Sequence, residues 1–264
     1  MALIDDARAD PRPVGELVET ALIEQEGGSA PITGALMALQ VRGTIEVLDA
    51  ARQLSRSSDA RRRSLACYIL RELGSPEPTF PEACCDALLD MLAREKDIEV
   101  LSDVLYGFGY LRNRRADPHV AALRSHADAR IRRGVAFSLV GASSAEAVEA
   151  LLDLMEDSDD LVRDWATNSI AEQPQIDGPK IREALWRRAS DRSLLVRCEA
   201  LTGLAWRGDR RVVPRLINEL RTATGEQATF FHNAANSILG LPEDEVLSST
   251  GIVLKRLRQS LVAR

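Results

Sequence analysis

One short pattern recurs along this chain, and it constrains the fold more than any other feature. The segments Asp128–Leu139, Asp159–Ile170 and Ser193–Leu204 can be laid over one another, and Asp97–Phe108 follows them with Leu101 in place of a shared arginine. Looser copies run over Ser58–Ile69 and Gln227–Ile238. The shared position reads Arg62, Leu101, Arg132, Arg163, Arg197 and Phe231, at intervals of 39, 31, 31, 34 and 34 residues. A period of this size fits one helix pair per repeat.

The chemistry inside each copy favours a helix. Asp or Ser opens it, where a side-chain oxygen can satisfy free N–H groups. Ile or Val follows, then the arginine, then a pair such as Val135-Ala136, Ala166-Thr167 or Ala200-Leu201, then Leu139, Ile170 or Leu204. This is amphipathic helix spacing, and the small residues allow close approach of neighbours. A first helix is expected ahead of each copy, with stripes at Ile45/Leu48/Ala51/Leu54, Ala83/Ala87/Leu88/Met91/Leu92, Ala145/Val148/Leu151/Leu152/Met155 and Val212/Val213/Leu216/Ile217/Leu220. Gly74-Ser-Pro, Asp117-Pro, Gln173-Pro, Gly178-Pro, Gly225 and Gly240-Leu-Pro break the units. No alternating strand pattern of useful length appears.

The recurring Asp-x-x-[Val/Ile]-Arg-x-x-Ala pattern behind an apolar helix resembles HEAT-like repeats, of the kind also found in phycobilin lyase subunits. The likeness covers residues 44–240. It implies an all-α, right-handed α–α superhelix, a solenoid of about six helix pairs, with first helices convex and second helices concave. The whole chain is read as one solenoid domain: an N-terminal cap over 1–43 with helices in 14–40, repeats over 44–240, and a C-terminal cap over 241–264. Val246, Ile252, Val253, Leu257 and Leu261 supply the apolar side of the last helix.

Composition limits what such a scaffold binds. With 45% hydrophobic and 28% charged residues the chain is globular, and a net charge of −6 disfavours general nucleic-acid binding, which needs surplus Lys and Arg on the binding face. The start, Met1-Ala-Leu-Ile-Asp-Asp6, lacks the basic and apolar run of a signal peptide, and no stretch approaches the roughly 18 apolar residues of a membrane span. Cys67, Cys84, Cys85 and Cys198 all fall in helical patterns and read as buried, reduced thiols of a cytoplasmic protein.

No phosphate-binding, nucleophile-elbow or zinc-protease motif occurs. His119 and His126 have no matched partners at ligand spacing. Neither a catalytic residue, a cofactor nor a metal site is therefore expected. The repeated Arg132, Arg163 and Arg197 are expected to form a ladder between neighbouring units rather than a ligand site, and basic residues such as Arg112 and Arg207 suit helix C-termini.

Three columns follow the shared arginine: the first points away from the apolar stripe, the one five places on is largely outward, and the one two places on flanks the core. One place after it stand Arg63, Ser102, Arg133, Asp164, Cys198 and His232. Two after it stand Ser64, Asp103, Gly134, Trp165, Glu199 and Asn233, and five after it Cys67, Tyr106, Phe137, Asn168, Thr202 and Asn236. Aromatics make up only 4% of the chain, so their concentration here points to a partner-binding wall. The candidates are Asp103, Tyr106, Arg133, Phe137, Asp164, Trp165, Asn168, Glu199 and His232, with packing as the alternative for Phe137 and Trp165.

The leading expectation is a non-catalytic scaffold or adaptor for an unidentified protein, acting as a monomer or within a hetero-complex. Two alternatives stand behind it. Some HEAT-like proteins are alkylpurine DNA glycosylases, and Asp164-Trp165 matches their chemistry in residue type, though a basic concave face would also be required. A phycobilin lyase-like subunit shares the scaffold pattern.

Overall fold

A computed structural model describes residues 2–25, 34–242 and 247–262. Among these, regular structure is helical throughout. The chain divides into two compact units, residues 1–139 and 140–264.

In the first unit, α1 (Ala2–Arg8) and α2 (Val14–Gln25) pack against α3 (Gly34–Arg42). Helix pairs follow: α4 (Ile45–Leu54) with α5 (Ala60–Arg71), α6 (Pro81–Leu92) with α7 (Ile98–Leu111), and α8 (Asp117–Ala121) with α9 (Ala129–Ser138). A 3-10 turn at Arg114–Ala116 lengthens the short α8. The second helices stack, α5 on α7 and α7 on α9. The second unit repeats the plan with α10 (Ala145–Leu154) and α11 (Asp160–Ala171), α12 (Pro179–Arg188) and α13 (Leu194–Trp206), α14 (Val212–Thr222) and α15 (Glu226–Ile238). Helix α16 (Thr250–Val262) closes it against α14 and α15. Val246 lies outside the described residues.

Local chemistry sets the helix starts. Asp59, Asp97, Asp128 and Asp159 each stand at an N-cap and accept a backbone N–H; Asp97 takes two, from Glu99 at 2.9 Å and Val100 at 3.2 Å. Each such cap is worth about 1 kcal/mol. Ser193 holds the same position without a side-chain cap bond. The apolar positions of the repeat are buried as their spacing predicts: Ile131, Val135 and Leu139; Val162, Ala166 and Ile170; Val196, Ala200 and Leu204. In the α10 stripe Leu151, Leu152 and Met155 are buried as expected, and the first turn is rotated. Ala145 is exposed and Val148 only half-buried, while Ala147, Ala150, Leu151, Leu154 and Met155 are buried.

The arginine of the repeat has two tasks. Its Nη1 donates to two carbonyls of the preceding turn: Arg132 to His126 and Ala127, both at 2.9 Å, Arg163 to Asp157 and Ser158, and Arg197 to Asp191 and Arg192. The other edge of the guanidinium reaches the next helix pair, as Arg163 does to Asp191 and Arg197 to Glu219. In the first copy this residue is Arg63, not Arg62. Arg63 donates to Ser57 and Ser58 and pairs with Glu95, whereas Arg62 reaches Glu19 at the surface. The first copy therefore begins at Asp59, one residue later than the sequence alignment places it.

Arg207 at the end of α13 does for α11 what water cannot. Its side chain is fully enclosed and donates to the carbonyls of Ile170, Ala171, Gln173, Ile176 and Gly203. Most of these are C-terminal carbonyls of α11 or lie just beyond it, groups that have no partner within their own helix.

Candidate functional wall

The corrected register changes what the second helices of the first unit present. Counted from Arg63, Leu101 and Arg132, the position five residues on reads Tyr68, Tyr106 and Phe137. Cys67, which the misplaced alignment turned outward, is buried in the core. The position one residue on reads Ser64, Ser102 and Arg133. On each helix the two positions are a turn apart and share a face.

These side chains are knit together. Asp103 accepts from the Ser64 hydroxyl and from Tyr68 Oη at 3.4 Å. Burial raises the Asp103 carboxyl above its usual range, and the two hydrogen bonds oppose that rise. The guanidinium carbon of Arg71 sits 4.4 Å from the Tyr68 ring centroid and 4.6 Å from that of Tyr110, a cation held between two π faces. Phe137 lies 4.9 Å from Tyr106 and 5.6 Å from Tyr110, both tilted. Phe137 can lie there because α7 has no side chain at Gly109: a Cβ would stand 2.4 Å from two ring carbons. All three tyrosines of the chain thus stand on one wall, with Tyr110 50% exposed. Beside Ser64 and Tyr68 opens a cavity of about 420 Å³, with Leu22, Ala60 and Val100 among its apolar lining and Asp97 and Glu99 at its acidic side.

In the second unit the wall is acidic. Asp164, Trp165, Asn168 and Glu199 are half-buried. Asn168 Nδ2 donates to Glu199 Oε2 at 3.2 Å. Burial raises the Asp164 carboxyl, and nearby Asp160 adds to this. Burial also raises Glu199, which Asn168 partly offsets, while Asp164 and Glu172 push it further up. Leu161 and Leu195, 45% and 49% exposed, add apolar surface on α11 and α13.

Several members of the expected columns are not on an open face, Cys67, Gly134 and Asn236 among them. His232 is buried, with Nε2 3.0 Å from Thr250 Oγ1 at the start of α16, because the closing helix covers this end. Burial also lowers its pKa. Cys198 is buried, and desolvation pushes its thiol up to about 12. Sequence reading missed Tyr68, Arg71 and Tyr110. The first was hidden by the register slip; the other two lie outside the columns, although Tyr106 and Tyr110 are four apart and so share a face.

The described residues include no group of three or more His, Cys, Asp or Glu able to hold a metal ion, and no helix long and apolar enough to cross a membrane. A HEAT-repeat family model matches residues 85–171. Protein YibA of Escherichia coli strain K12 is 32% identical over 94 residues, which is 36% of this chain and 33% of YibA, so the match spans a third of that relative's length. The X-ray structure of Escherichia coli YibA superposes with a TM-score of 0.71 at 18% identity, covering 100% of this chain and 96% of that one. An engineered protein follows with a TM-score of 0.57 at 17% identity, over 99% and 82% of the two chains. The complex of CpcE and CpcF of phycocyanin lyase from Nostoc sp. PCC7120 reaches 0.46 at 17% identity, over 92% and 94%, a likeness too slight to bear on activity. Residues 85–171 thus match HEAT repeats, and the stacked helix pairs within each unit follow the same plan.

Proposed function

We propose that this chain is a non-catalytic scaffold that binds a protein partner on the wall formed by its second helices. One observation carries the reading: in a chain with 4% aromatics, Tyr68, Tyr106, Tyr110 and Phe137 converge on one half-open wall of the first unit. Tyrosine offers large apolar area and a polar tip at little conformational cost, which is why it is enriched at binding surfaces. The half-buried carboxylates Asp164 and Glu199 extend the same kind of surface in the second unit. Nucleic acid is disfavoured by the net charge of −6 and by Arg71, whose cation is already held between tyrosines.

The test is capture from native lysate of the source organism on immobilised protein, run beside Tyr106→Ala/Tyr110→Ala and Asp164→Arg variants. A protein retained by wild type and lost by a wall variant of unchanged folding supports the proposal. Retention of nuclease-sensitive nucleic acid at moderate salt, or of a coloured tetrapyrrole, with no wall-dependent protein, overturns it.

A further inference from the structure

The donor row of the first unit is incomplete in a way that identifies a partner group. Ser64, Ser102 and Arg133 occupy equivalent positions on α5, α7 and α9, each one turn before an aromatic: Tyr68, Tyr106 and Phe137. At the α5 end the row already holds a carboxylate, since Asp103 accepts from both Ser64 and Tyr68. At the α9 end no carboxylate pairs with Arg133 among the described residues. Arg133 Nε is buried without an acceptor, and among the described residues its guanidinium forms no ion pair. Arg63, Arg163 and Arg197, which hold the shared arginine position one residue earlier in the repeat, each have a carboxylate partner. Arg133 is half-buried, and a guanidinium with no acceptor of its own can take a carboxylate from outside the chain.

We infer that Arg133 receives a carboxylate of the partner, an Asp or Glu side chain or a chain end, with Ser102 as neighbouring donor, while an adjacent apolar side chain of the same segment lies on Tyr106, Phe137 and Tyr110. The occupant is thus an acidic peptide segment with a large apolar residue beside its carboxylate. A guanidinium on a half-buried wall matches a carboxylate in shape and charge, and an aromatic platform one turn away fixes the register. This inference rests on the protein-binding reading above.

Selection of a random displayed-peptide library on the full chain tests it. Enriched peptides should carry Asp or Glu next to an aromatic or large aliphatic residue. Binding of a selected peptide should fall at least tenfold on Arg133→Gln, and Glu→Gln in the peptide should weaken binding to wild type but not to the variant. A cooperative urea transition of Arg133→Gln, at a midpoint no lower than that of wild type, shows that the variant is folded. Peptides that bind through Tyr106 but are basic, or indifferent to Arg133→Gln, overturn this inference and leave the binding wall standing. Arg133-dependent binding of an oligothymidine in place of any peptide overturns it as well. Absence of any peptide sensitive to Tyr106→Ala or Arg133→Gln overturns both readings.

Discussion

Arg163 and Asp191 form a two-pronged pair between successive helix pairs, with Nε–Oδ2 at 2.8 Å and Nη2–Oδ1 at 2.9 Å and side chains only 6% and 4% exposed. A pair this enclosed is costly to break from one side: without Asp191 the Arg163 cation stays buried with no carboxylate, and without Arg163 only Arg188, 3.1 Å away, remains to pair with Asp191. Arg163→Ala or Asp191→Asn is expected to cost roughly 3–5 kcal/mol in urea unfolding. The double variant should cost less than the sum. Lys180–Glu149, with both side chains at least 60% exposed, is the surface control, and Lys180→Ala should leave the midpoint near that of wild type.

The carboxylates divide by the sign of their shift, and this gives opposite responses to pH. Burial would raise Asp191, but hydrogen bonds from Arg163 and the Ser193 N–H outweigh it and hold the carboxyl below its ordinary value. Its stabilising contribution is present above the unfolded value of about 3.9 and is lost as pH falls through the lower folded value. Asp164 is raised by burial, so at neutral pH its charge destabilises the folded state, and acidification through its folded pKa relieves this. Asp164→Asn should therefore raise the urea midpoint at neutral pH, with the gain shrinking on acidification. Asp191→Asn should lower the midpoint at neutral pH, with the difference from wild type narrowing at the acid end. Urea titrations across the acid range check both signs.

Gly109 and Phe137 are matched by contact. A methyl at position 109 would meet the Phe137 ring at 2.4 Å and must displace it. Gly109→Ala is expected to destabilise by about 1–3 kcal/mol despite its better helix propensity, and to weaken the near-ultraviolet circular dichroism of the tyrosine cluster. In a Phe137→Ala background the same substitution should become neutral or stabilising, which a double-mutant cycle reads directly.

Arg207→Ala should rank among the most destabilising single substitutions in the second unit, costing about 3 kcal/mol or more, because it strips several buried carbonyls of their donor. Arg207→Lys keeps the charge but not the planar fork and should recover only part of the loss. Thermal unfolding of the three proteins orders them.

Much of the fold was legible because the copies centred on Arg132 and Arg163 combine a capping Asp, a β-branched residue, an arginine and small residues at helical spacing, and that centred on Arg197 differs only in opening on Ser193. The copies centred on Arg132, Arg163 and Arg197 needed no correction. The first copy slipped because Ser58 and Asp59 are both good N-caps; only the hydrogen bonds of Arg63 to Ser57 and Ser58 distinguish them. That single residue moved Cys67 outward on paper and hid Tyr68. Tyr106, Phe137 and Asp103 were legible as wall residues, whereas the Tyr68–Arg71–Tyr110 stack depends on distances between helices that no column of sequence contains. His232 was misplaced for a similar reason: its column is outward along the helix, and the covering by α16 is a tertiary event.

Whether the wall binds is read from the affinity of the captured partner for wild type and for Tyr110→Ala, a half-exposed residue outside the buried core. Binding to Tyr110→Ala should be at least tenfold weaker, about 1.4 kcal/mol, with the variant still unfolding cooperatively in urea. Equal affinity for both proteins, with partner protection of amide exchange confined to the first helices α4, α6 and α10, would contradict it.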